Sequence, residues 1–160
     1  MLEKRGLLRS HKGEGLFFMN ILFVCTGNTC RSPMAAGIFK KIVKEKKLKN
    51  VEISSAGIAA NNTSPATKNA IEVCQNIDID IREHISRSVF DVNLYAIDKF
   101  VVMTKSHRDA LLKLRVNSDK IYILNGEIVD PFGGDLTAYE ACRDKIYAVL
   151  DQLAETWCTQ

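Results

Sequence analysis

A cysteine, then an arginine six residues on, with serine and proline directly after, is a set of side chains that can hold a phosphate and attack it. The segment is Val24-Cys25-Thr26-Gly27-Asn28-Thr29-Cys30-Arg31-Ser32-Pro33. Successive backbone N–H groups in a tight loop, backed by the positive end of a helix, bind an oxyanion. Gly27 and Asn28 are residue types that accept the left-handed conformations such a nest requires. Arg31 adds a planar fork that can grip two phosphate oxygens at once. The same dipoles favour a thiolate at Cys25, the form that attacks phosphorus. Ser32 can donate its hydroxyl to that sulfur and stabilise it as a leaving group. A lone cysteine after a buried strand is ordinarily a small core residue. What shifts the reading toward chemistry is the order of buried strand, Cys, Gly, Asn, Arg, Ser, Pro and amphipathic helix. A nucleotide-binding glycine loop would need Gly-Lys-Ser or Gly-Lys-Thr, and the chain contains neither.

A thiolate does not readily expel an alkoxide, phenoxide or guanidine anion, so a proton has to reach the leaving atom as the bond to phosphorus breaks. Asp130 is the candidate acid. It precedes Pro131 in a glycine-containing loop, Val129 to Asp135, and an Asp-Pro pair in a loop is usually turn chemistry. Its place after the fourth expected strand puts it at the sheet edge where Cys25 lies. Once ionised, the same carboxylate would activate the water that hydrolyses a phosphocysteine.

The elements that must position these groups follow from hydrophobic patterning. Residues 20–24 (NILFV) form a short continuous apolar run, as expected of a strand buried on both faces. Ser32 and Pro33 read as the cap and first turn of a helix carrying Met34, Ala35, Ile38, Phe39, Ile42 and Val43 at helical spacing. A second strand is expected over Val51 to Ser55, ending in an Ala56-Gly57 turn, and Ser64-Pro65 reads as a cap before a helix reaching about Asn76. Lys99 to Met103 and Ile121 to Leu124 read as the third and fourth strands, with a helix from about Lys105 between them. In the last helix Thr137 and Glu140 form a capping box, and Tyr139, Cys142, Ile146, Val149, Leu150 and Leu153 trace one face. Strands alternating with helices predict the α/β class. The expectation is a single three-layer domain with a four-stranded parallel sheet, helices on both faces, and the phosphate loop between first strand and first helix.

Composition narrows the function classes. With 160 residues, 46% hydrophobic and 26% charged, the chain is enough for one domain with its own core. A formal net charge of +3 gives no basic footprint for nucleic acid. No apolar run approaches the roughly 20 residues that cross a bilayer. The five cysteines are odd in number and lack the dense pairing of a secreted disulfide scaffold, which fits a reducing cytoplasm. Cys74, Cys142 and Cys158 read as structural, no metal site is suggested, and no cofactor is implied. Residues 1–18 carry Lys4, Arg5, Arg9 and Lys12 among broken apolar stretches and read as an N-terminal extension, flexible at least in part. Residues 19–160 form the domain.

The string VCTGNTCRSPMA resembles the low-molecular-weight protein tyrosine phosphatase family. Ser55-Ala56-Gly57 resembles that family's serine-alanine-glycine turn, His84 falls where a histidine supports the loop, and Asp130-Pro131 resembles its acid motif. The likeness runs from Ile21 to about Leu153. Ala36 departs from it, since a glutamate commonly follows the Met-Ala pair. The resemblance implies a cysteine-dependent protein phosphatase working through a phosphocysteine, in which Asn28, Ser55 and His84 lock the loop. It also implies that Cys30 can form a protective disulfide with Cys25. The expected partners are phosphorylated proteins and inorganic phosphate or a similar oxyanion in the loop, and the chain is expected to be a monomer. Thr29 stands where phosphotyrosine enzymes of the family usually carry a larger aliphatic residue. With Asp-Pro-Phe-Gly-Gly at 130–134, where those enzymes have a doubled tyrosine, it resembles the bacterial protein arginine phosphatase branch. There the threonine orients the guanidinium and the attacking water, and the phenylalanine, here Phe132, lines the pocket. Phosphoarginine is therefore expected ahead of phosphotyrosine. An arsenate reductase would need two further relay cysteines, which residues 78–100 lack. A phosphocysteine carrier would not need Arg31, Ser32 and Asp130 together.

Overall fold

In the computed structural model, which describes residues 18–158, four parallel strands lie in the order β2-β1-β3-β4. They are β1 (Met19–Cys25), β2 (Val51–Gly57), β3 (Lys99–Val102) and β4 (Ile121–Ile123). Four helices connect or follow them: α1 (Arg31–Glu45), α2 (Lys68–Gln75), α3 (Lys105–Lys113) and α4 (Leu136–Cys158). The expected fold class is the one observed. The first 17 residues of the expected N-terminal extension lie outside the described residues.

β1 is central because both faces of it are apolar. Successive side chains on a strand point to opposite faces. Thus Ile21, Phe23 and Cys25 join one core with Met34, Ile38 and Phe39 of α1, Val73 of α2, and Ile146 and Leu150 of α4. Leu22 and Val24 join the other with Phe100 and Val102 of β3 and Leu111 of α3. Each fully buried side chain of this size contributes about 1.5–3 kcal/mol of transfer free energy. The strand that carries the nucleophile at its carboxyl end is therefore held from both sides.

Several boundaries differ from expectation, for local reasons. Helix α1 starts at Arg31 with Cys30 as its N-cap residue and no side-chain cap. Ser32 lies inside the first turn, where its hydroxyl serves the loop instead of the helix end. Helix α2 starts at Lys68 with Thr67 as cap, its Oγ1 accepting from Ala70 N. The expected Ser64-Pro65 cap is instead tied to residues 85 and 86, through a Pro65–Ile85 bridge and a Ser86 N–H bond to Ser64 O. At α4 the cap is Asp135, whose Oδ1 accepts from Ala138 N at 3.0 Å, so Thr137 is already helical. The Ala56-Gly57 turn proves to be the end of β2, with Gly57 in register with Cys25.

Candidate active site

The loop 25–31 leaves the carboxyl end of β1 between β2 and β3, the position where an open parallel sheet leaves room for a ligand. Cys25 is buried, and its Sγ lies 2.9 Å from Ser32 Oγ. A hydroxyl at that distance donates to a thiolate and stabilises it. The uncapped first turn of α1 leaves its N–H groups directed at the same space, so the helix end adds positive potential there.

Asn28 holds the middle of the loop. It is fully buried and left-handed, with φ of 59°. Gly27, the other residue expected to take that conformation, keeps an ordinary φ. The Asn28 amide donates to Ser32 Oγ at 2.7 Å and to Ser55 Oγ at 3.0 Å. Its Oδ1 accepts from Arg87 N at 2.9 Å, and its backbone carbonyl accepts from His84 Nε2 at 2.7 Å. That last bond places the imidazole proton on Nε2. Burial holds His84 below its ordinary pKa and Lys40 pushes the same way, against the Asn28 bond that favours the cation. Gly57 is required by proximity: a Cβ there would lie 2.5 Å from Thr26 O and 3.0 Å from Asn28 Cβ. Asn28→Ala should cost about 3 kcal/mol in urea unfolding, because it removes the amide that bonds the buried Ser32 and half-buried Ser55 hydroxyls and the Arg87 N–H, and puts alanine in a left-handed conformation.

Arg31 is buried, with Nη1 donating to Ile128 O at 3.0 Å and Nη2 3.5 Å from Asp130 Oδ2. The loop that carries Asp130 is thus brought to the phosphate loop by the arginine itself. Asp130 is half exposed, and its Oδ1 accepts from Phe132 N at 3.0 Å. Phe132 stands 71% exposed on the same loop, available to a substrate. Thr29 is half buried, and its carbonyl accepts from Thr67 N at 2.9 Å. Cys30 is buried as a free thiol, as is Cys25. Its Sγ lies 3.2 Å from Tyr139 Oη, and burial together with the Cys30 contact pushes the Tyr139 phenol up to about 12. Cys74 and Cys142 are core residues whose thiols burial pushes up to about 12, so they are inert at neutral pH.

All the residues expected at the phosphate loop and its support therefore meet at one sheet edge. One residue at this edge was not expected. His107 on α3 is buried, with Nε2 2.9 Å from Thr26 Oγ1 and Nδ1 3.1 Å from Thr104 Oγ1. A single histidine on a short helix gives no sequence signal for a partner 81 residues away. Among the described residues no group of three or more His, Cys, Asp or Glu could hold a metal, and no helix is long and apolar enough to cross a membrane.

Comparison with known proteins places this geometry. The family model for low molecular weight phosphotyrosine protein phosphatase matches residues 20–159. A protein-arginine-phosphatase from Bacillus subtilis is 36% identical over 145 residues, covering 86% of this chain and 95% of its own length. A low molecular weight protein-tyrosine-phosphatase, PtpB, from Staphylococcus epidermidis is 32% identical over 141 residues, covering 84% and 96%. Among solved structures, a Cys-to-Ser mutant of the YwlE arginine phosphatase with a phosphorylated active-site serine superposes with a TM-score of 0.81. It is 35% identical and covers 86% of this chain and 95% of that one.

Proposed function

The chain belongs to the low molecular weight phosphotyrosine protein phosphatase family, and from that premise we propose that it removes phosphoryl groups from phosphoarginine in proteins through a phosphocysteine at Cys25. The observation that carries the cysteine chemistry is the Ser32 hydroxyl 2.9 Å from Cys25 Sγ, beneath a loop whose arginine reaches the Asp130 carboxylate at 3.5 Å.

The reaction runs in two displacements. Cys25 thiolate attacks phosphorus as the bond from phosphorus to the leaving nitrogen breaks, and the protonated Asp130 carboxyl delivers its proton to that nitrogen. Loop N–H groups and Arg31 hold the three equatorial oxygens where charge concentrates in the transition state. Water then attacks the phosphocysteine while the Asp130 carboxylate takes its proton. The S–P bond breaks with the electron pair returning to Cys25, where the Ser32 hydroxyl stabilises it. Asn28, Ser55 and His84 keep the loop in one shape through both steps, so the donors need no rearrangement.

Thr29 favours phosphoarginine over phosphotyrosine. A threonine leaves more room at the wall of the site than a larger aliphatic residue and offers a hydroxyl to a guanidinium, whereas an apolar wall suits a phenyl ring. The relative named as a protein-arginine-phosphatase and the one named as a protein-tyrosine-phosphatase are both similar to this chain, so the preference rests on this residue and on Phe132. The Thr29→Ile variant tests it. The ratio of kcat/KM for a phosphoarginine protein to that for a phosphotyrosine peptide should stand above one in the parent and fall below one in the variant. Equal preference in the parent, or a ratio untouched by the substitution, contradicts the assignment.

A further inference from the structure

We infer that His107 is a positioning residue for the phosphate loop, acting through the Thr26 hydroxyl. The loop is tied to the β2 side many times over. Ile58 N donates to Cys25 O and Ala59 N to Thr26 O, each at 2.9 Å, and Asn28 is bonded to Ser55, His84 and Arg87. On the α3 side its first residue after the nucleophile is held by one side-chain link, from Thr26 Oγ1 to His107 Nε2 at 2.9 Å. His107 is in turn fixed by Thr104 Oγ1 at 3.1 Å on its other ring nitrogen. Thr104 is the N-cap residue of α3, and the next N–H, that of Lys105, donates to Glu127 Oε1 at 2.9 Å. The chain of bonds therefore runs from a rigid helix start to the residue beside Cys25.

The ring is suited to this. It is only 4% exposed although Thr26 itself is open to solvent, so the imidazole is the rigid partner and the threonine the residue being placed. The charged groups acting on the ring are Arg31 from α1 and Asp130 and Glu127 from the loop after β4. Burial and then Arg31 push its pKa down to about 4, against the two carboxylates. The ring is a neutral imidazole across the physiological range, and it spans two hydroxyls as a donor at one nitrogen and an acceptor at the other. A displaced Thr26 displaces the backbone N–H beside Cys25, and small errors in such donors cost roughly 10- to 100-fold.

The inference rests on the phosphatase reading but not on the choice of phosphoarginine, so the assay uses an aryl phosphate, and tungstate binding by calorimetry supplies a readout that needs no turnover. The parent, Thr26→Val, His107→Ala, the double variant and His107→Gln are compared. His107→Ala and Thr26→Val should each lower kcat/KM and tungstate affinity about tenfold or more, and the double variant should be no worse than either single. His107→Gln, whose amide reaches the Nε2 position, should recover most of the loss. The acid limb of its pH profile above pH 5 should match the parent, because a neutral ring is being replaced by a neutral amide. Thr26→Val keeps the test intact should His107→Ala unfold, since Thr26 is exposed. The inference is overturned if Thr26→Val stays within twofold of the parent in both readouts, or if the two single losses multiply in the double variant. An inactive parent that still binds tungstate would sink the phosphatase reading and leave the binding comparison to decide the role of His107.

Discussion

Cys25→Ser should lose about five orders of magnitude in kcat, the scale on which removing a covalent nucleophile acts, while keeping its fold and its affinity for inorganic phosphate within severalfold. The two outcomes separate because the groups that bind and the group that reacts differ. Backbone N–H groups and Arg31 hold the anion, and a serine leaves them untouched. What disappears is the sulfur nucleophile that the Ser32 hydroxyl meets at 2.9 Å. A serine hydroxyl in its place keeps its proton at neutral pH and is the weaker nucleophile. Single-turnover kinetics with an aryl phosphate, together with a calorimetric titration of phosphate, read both quantities. Retained turnover would show that another residue attacks phosphorus.

Asp130→Asn should lower kcat on a poor leaving group by about 10²- to 10⁴-fold, the usual share of a general acid. With an activated aryl phosphate the outcome should change in kind. Such a leaving group departs without a proton, so Cys25 is still phosphorylated, but water has lost its base and the phosphocysteine decays slowly. A burst of phenol near one equivalent per enzyme, followed by a slow steady rate, is the expected trace. The variant should remain folded: Asp130 is half exposed and its pairing with Arg31 is 3.5 Å long, a contact worth at most about 1 kcal/mol. Equal losses on good and poor leaving groups, without a burst, would remove Asp130 from the acid role.

The parts legible in the sequence were those whose signals are local. The apolar run at 20–24 marks a doubly buried strand because both faces of β1 are covered, and Cys25, Arg31 and Ser32 are close enough in sequence that one loop must place them together. Asn28 was legible as a residue type, although it alone takes the left-handed conformation expected of Gly27 as well. Helix starts were misread wherever a side chain had a better tertiary partner than the helix. Ser32 bonds the nucleophile and Asn28 in place of a cap, and Pro65 bridges to Ile85 while Thr67 caps α2. Asp135 took the cap of α4 from Thr137 because its carboxylate oxygen reaches Ala138 N. The Asn28–His84 bond was accessible only through family resemblance, since a lone histidine 56 residues away carries no spacing signal. The Thr26–His107 bond had not even that help.

The most direct test follows the phosphoryl group itself. Asp130→Asn is mixed with an aryl phosphate, denatured within the burst, digested and analysed by peptide mass spectrometry. The expected result is the added mass of one phosphoryl group on the peptide containing Cys25 within the burst, and no such mass on that timescale when Cys25→Ser is introduced into the same variant. Turnover with that peptide unmodified, or a phosphoryl group carried instead by a peptide with His84 or His107, would contradict it.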